Sequence, residues 1–108
     1  MDSHERRRAP RYQLVAEAEI VELRSNSTLA AKSSDVSLVG CFMNATRSLP
    51  VGTHIRIQLK VQDATFTSLG VIARAHPMGM GVSFSKTPKD QEQVLQKWLS
   101  EISRGTAN

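Results

Sequence analysis

The chain has 108 residues, 14 Lys and Arg against 10 Asp and Glu, and one cysteine. That length holds one domain with one modest core, and leaves little room for a deep enzyme cleft with its own lid. A single cysteine excludes an internal disulfide framework and any cysteine-based zinc site. No apolar run approaches the roughly 20 residues of a membrane span, and the polar N-terminus has no apolar stretch of signal-peptide length. The expected address is the cytoplasm, and membrane insertion is not expected.

In chain order, residues 1–11 form an arm without apolar periodicity, expected to be flexible and ordered only by a partner. Arg6, Arg7, Arg8 and Arg11 fall within six residues of one another, and Pro10 argues against a helix. Residues 12–23 alternate as one strand, with Leu14, Ala16, Ala18 and Ile20 on one face and Gln13, Val15, Glu17 and Glu19 on the other. Asn26 and its serines read as a turn. Residues 28–36 are a second, less apolar strand and residues 39–45 a third. After the turn at Pro50-Val51-Gly52, Ile55, Ile57, Leu59 and Val61 alternate with polar residues, the clearest half-buried strand of the chain. Gln62 and Asp63 turn the chain into a strand over residues 66–75, interrupted by Gly70. Pro77-Met78-Gly79 turns it again into a last strand carrying Met80, Val82 and Phe84.

The period then changes. Thr87, Pro88 and Asp90 read as a capping box, and Val94, Leu95, Trp98, Leu99 and Ile102 share one helical face, with Arg104 and Gly105 as the stop. A helix over about residues 88–103 follows. The expected fold is mainly β: a small six-stranded antiparallel β-barrel over residues 12–104, with a C-terminal α-helix and the basic N-terminal arm.

Few residues suggest catalysis. His4, His54 and His76 have no metal-ligand spacing, and no nucleophile–base pair can be named, so neither an enzyme nor a metal site is expected. Gly79-Met80-Gly81 lacks the Lys-Ser/Thr and the following helix of a phosphate loop. It reads as a turn into a strand where side chains would crowd a neighbour. The arginine arm is a better candidate, because a guanidinium presents a planar fork of donors to phosphate and a flat face to aromatic rings. Taken alone, it reads first as a solvated basic tail. The second candidate is Asp35-Val36-Ser37-Leu38-Val39-Gly40. Asp35 can accept the paired N–H donors of a guanine edge and Ser37 can donate a hydroxyl. Gly40 permits either a positive φ or a close backbone approach. Taken alone, this segment reads first as a loop closed by its own hydrogen bonds, since Asp-x-Ser is common.

Together the segments resemble the PilZ domain family. The arm carries Arg-Arg-x-x-x-Arg as Arg6, Arg7 and Arg11, and Asp/Asn-x-Ser-x-x-Gly is met at Asp35, Ser37 and Gly40. The resemblance extends over roughly residues 5–102. It departs at Cys41, where many relatives have a second glycine. It implies a six-stranded barrel with a C-terminal helix that binds cyclic di-GMP as a ligand-switched receptor. By that resemblance Arg7 and Arg11 grip phosphates and stack on guanine, Arg6 assists, Asp35 contacts a guanine edge, and Ser37 and Gly40 line the floor. Arg8 either touches ligand or faces water. No cofactor is implied, and a downstream effector protein is. The alternatives are a PilZ-like interaction module without nucleotide, or a small-barrel nucleic-acid binder. The second is disfavoured because stacking platforms need exposed aromatics, and most of Tyr12, Phe42, Phe66, Phe84 and Trp98 fall on faces assigned to the core.

Overall fold

A computed structural model describes residues 9–106. The elements are β1 (Tyr12–Gln13), β2 (Glu17–Glu22), β3 (Thr28–Val36), β4 (Gly40–Asn44), β5 (His54–Val61), β6 (Ala64–His76), β7 (Gly79–Lys86) and α1 (Lys89–Thr106). All pairings are antiparallel. The order β3–β2–β5–β6–β7–β4 closes through a β3–β4 pairing into a six-stranded barrel, and β1 is an extra short strand on β3.

The continuous strand expected over residues 12–23 is two strands. β2 pairs with the first half of β3, from Glu17↔Lys32 to Val21↔Thr28, and β1 pairs with its end, at Gln13↔Asp35 and Tyr12↔Val36. The cause of the break is Ser33, which is buried. Its hydroxyl donates to the carbonyl of Leu14 and accepts the N–H of Ala16 at 2.9 Å. A side chain thus stands where ladder bonds would run. The alternation itself holds across the break, with Ala16, Ala18 and Ile20 buried and Val15, Glu17 and Glu19 exposed.

Inside the barrel, Ile20, Ile55, Ile57, Leu59, Phe66, Ile72 and Met80 are fully buried. Burying each such side chain contributes about 1.5–3 kcal/mol. α1 packs on this core through Leu95, Trp98 and Leu99. Trp98 approaches Phe66 at 6.5 Å between ring centroids, and Gln91 Oε1 accepts the Thr67 N–H at 2.7 Å. The helix start differs from the expected box. Pro88 supplies the first accepting carbonyl, to Glu92 N–H at 2.9 Å, and the Thr87 hydroxyl lies 2.8 Å from Ser68 Oγ on β6. The helix also runs through Gly105 to Thr106, so that glycine does not end it.

Strict two-residue alternation fails at two places that matter below. Between β3 and β4 the register shifts, so that Ser33 opposes Met43 and Asp35 opposes Phe42, with Ser34 as the extra residue. Between β6 and β7, Ile72 opposes Val82 and Arg74 opposes Gly81, with Ala73 extra. Each is a β-bulge, which moves every later side chain to the other face.

Candidate functional site

The two sequence motifs meet at the end of β3. Ser33 points into the core, so alternation would aim Asp35 inward too. The bulge at Ser34 reverses this: Asp35 turns outward and Val36 is buried instead. Gln13 of β1 lies directly opposite Asp35, and Arg11 is its diagonal neighbour on the same face. Arg11 uses that position. Its Nε and Nη2 both donate to Asp35 Oδ1, at 3.0 and 2.8 Å. The Arg11 side chain is 59% exposed and that of Asp35 33%, so this pair contributes at most about 1 kcal/mol to stability. Its effect is positional. It holds a guanidinium and a carboxylate together on the outer rim of the barrel.

Ser37 and Gly40 lie below this rim and shape it. Ser37 is buried; its Oγ accepts the Val39 N–H at 3.1 Å and donates to the Gly40 carbonyl at 3.3 Å. Its own N–H also donates to the Gly40 carbonyl, at 2.8 Å, which closes the turn. Gly40 does not have a positive φ; among the described glycines only Gly52 does. It is the close-approach alternative that is met, and the neighbour is protein backbone. A Cβ at position 40 would stand 2.3 Å from the Val82 carbonyl oxygen of β7. Below the same rim Cys41 is buried, as a small apolar filler. Burial, then the Asp35 carboxylate, push its thiol up to about 12, so it stays protonated and inert.

Arg6, Arg7 and Arg8, with the rest of residues 1–8 of the expected flexible arm, lie outside the described residues. Arg11, expected at the end of that arm, is tied to the barrel. Among the described residues no group of His, Cys, Asp and Glu is arranged to hold a metal ion, and no helix is long and apolar enough to cross a membrane.

Sequence reasoning missed the surface beside this rim. Phe42, which the alternation did not separate from the core aromatics, stands on the outer face next to Asp35, half-buried. Gly79 and Gly81 leave space for it, as the crowding read from their sequence requires: a Cβ at Gly79 would fall 2.3 Å from the Met43 carbonyl oxygen. Two glycines two apart in a strand, beside a strand carrying an aromatic, are the signal that points there.

Comparison with known proteins bears on the family and the fold. The model of the PilZ domain matches residues 5–101. The structure of the Bacillus subtilis inhibitor of motility, MotI/DgrA, superposes with a TM-score of 0.80 at 14% identity, covering 94% of this chain and 53% of that one. The chain thus spans about half the length of that protein. The PilZ domain of CeSA from a cellulose-synthesizing bacterium superposes with a TM-score of 0.70 at 14% identity, covering 87% of this chain and 98% of that one. At such identities the likeness is one of fold. No curated protein matches the sequence.

Proposed function

The chain belongs to the PilZ domain family, and on that premise we propose that it binds cyclic di-GMP and acts as a ligand-switched receptor. The observation that carries this reading is the Arg11–Asp35 pair, which brings the last arginine of one motif and the acid of the other together on one exposed rim. A planar donor fork and an acceptor-only carboxylate side by side suit a ligand with anionic phosphates and a base rich in N–H donors.

In this reading Asp35 accepts from the guanine edge while Arg11, Arg7 and Arg6 bind phosphate and stack on the base. Arg11 then exchanges a carboxylate partner for a phosphate, and the ligand's N–H groups replace it at Asp35. Ser37 and Gly40 act by shape: the hydroxyl closes the turn, and the missing Cβ lets β4 lie against β7, which keeps the floor flat. Contacts made only with ligand present are what shift the molecule toward a second arrangement, which an effector protein reads. The domains of this family are binding and adaptor domains, and this one is read as a receptor with no catalytic step.

Calorimetric titration with cyclic di-GMP, with other nucleotides as controls, tests the proposal. Micromolar affinity corresponds to about −8 kcal/mol. Removing one charge-assisted bond costs about 1.5–3 kcal/mol, so Arg7→Ala and Asp35→Ala should each weaken binding by about tenfold or more. Unchanged affinity in both variants would overturn the assigned site.

A further inference from the structure

Asp35 and Arg74 stand at opposite ends of one row across the outer face of the barrel. Asp35 pairs with Phe42, Phe42 with Gly81, and Gly81 with Arg74. Residues paired across neighbouring strands point to the same face, so these four share a surface. The strands are about 4.8 Å apart, so the row spans about 14 Å.

Both ends of the row are turned outward by the same device. Ser33 and Ile72 are buried, and plain alternation would send Asp35 and Arg74 into the core after them. The extra residue at Ser34 reverses the first and the extra residue at Ala73 reverses the second. Bulges concentrate where a side chain must be re-aimed for function. Here two of them aim an acid and a base at the ends of one row.

Between these ends lies a ring. A Cβ at Gly79 would come within 3.2 and 3.3 Å of Phe42 Cε2 and Cζ, and one at Gly81 within 3.8 Å of Cδ1. The ring therefore lies along β7, across the space that side chains there would fill. His76 braces it from the side, with ring centroids 5.3 Å apart and planes at 68°. The stem of Arg74 also approaches Gly81, its Cβ 3.4 Å from where a glycine Cβ would be. The surface reads as acceptor, aromatic platform, donor fork.

We propose that this row is a guanine seat. The base stacks on Phe42, its N1–H and N2–H groups donate to Asp35, and its O6 and N7 accept from the Arg74 guanidinium. Guanine carries its donors and those two acceptors on different edges, as the row requires, and an arginine fork on O6 and N7 is the commonest specific guanine contact. Adenine presents an amino donor where guanine has O6, and so would set donor against donor at Arg74. This inference rests on the nucleotide-receptor reading above and adds two residues to it, Phe42 as the platform and Arg74 as the residue that selects guanine over adenine.

The experiment is a titration of the whole chain with cyclic di-GMP and cyclic di-AMP. The wild type should prefer the guanine ligand. Arg74→Ala, an exposed substitution, should weaken cyclic di-GMP binding by about tenfold to a hundredfold and narrow the preference by a similar factor. Phe42→Ala should weaken both ligands by about tenfold or more, and Phe42→Trp, which keeps a stacking surface, should restore binding; circular dichroism confirms that each variant is folded. If the wild type binds but Arg74→Ala leaves affinity and preference unchanged, the seat is wrong while the receptor reading stands. If Arg74→Ala weakens both ligands equally, Arg74 meets phosphate and the guanine assignment fails. A wild type that binds no cyclic di-GMP brings down the receptor reading itself.

Discussion

The two halves of the barrel are built differently. β2 and β5 pair through six consecutive residues, from Glu17↔Lys60 to Glu22↔Ile55, and β5 and β6 through eight, from His54↔Val71 to Val61↔Ala64, without a break in register. In the other half the register shifts once between β3 and β4 and twice between β6 and β7, and glycines replace side chains where strands approach closely. The regular half buries Ile20, Ile55, Ile57 and Leu59 in strict alternation. The bulged half gives up that regularity and gains an exposed acid, a ring and a base on one surface. On the proposed reading, stability and recognition are thus concentrated on different strands and should be perturbed separately.

The largest test of this division is in the regular half. Ile57 is fully buried, and Ile57→Ala should cost about 2–5 kcal/mol in denaturant unfolding while leaving the nucleotide affinity of the folded fraction intact. A domain of this size has only about 5–15 kcal/mol in total, so the loss will be plain. In the bulged half the order reverses. Gly40→Ala places a Cβ against the Val82 carbonyl, and forcing β4 from β7 should cost about 1–3 kcal/mol and abolish binding. Full affinity in this variant would show that the floor need not be flat.

Ser33→Ala sharpens the boundary between the halves. It leaves the Leu14 carbonyl and the Ala16 N–H without their side-chain partner, and about 1–3 kcal/mol should be lost. Hydrogen exchange should show the loss concentrated at β1 and the start of β2. The smallest effect is a gain. Gln62 sits in the two-residue turn of the regular half at φ 54°, a conformation that favours glycine. Gln62→Gly should raise stability by up to about 1 kcal/mol, and thermal unfolding would measure it.

The regular half was legible in the sequence for a physical reason. Its strands have one face in the core and one in water, so alternation at Ile55, Ile57 and Leu59 reports their orientation directly. The helix was legible from its apolar stripe. At the site, the motif residues Asp35, Ser37, Gly40 and Arg11 could be named, and the structure brings Arg11 and Asp35 into contact. Other features were harder to read. A bulge adds one residue and changes no composition, so Ser34 and Ala73 look like any strand residues. Arg74 then reads as one more surface cation, and nothing separates Phe42 from the aromatics of the core. The break between β1 and β2 was hidden as well, because it depends on the hydroxyl of Ser33, some 17 residues away from Ala16 in the chain.

The bulge at Ala73 also bears on how the molecule meets copies of itself. The last pair between β5 and β6 is His54↔Val71, so the end of β6 runs past its neighbour with one edge uncovered. A straight overhang of that kind is a template on which a strand from another chain can add. The extra residue twists this overhang, and Arg74 and His76 project from it into solvent. Deleting Ala73 should therefore do more than turn Arg74 inward. It would straighten an open edge and make the protein prone to strand-by-strand aggregation, visible as concentration-dependent light scattering.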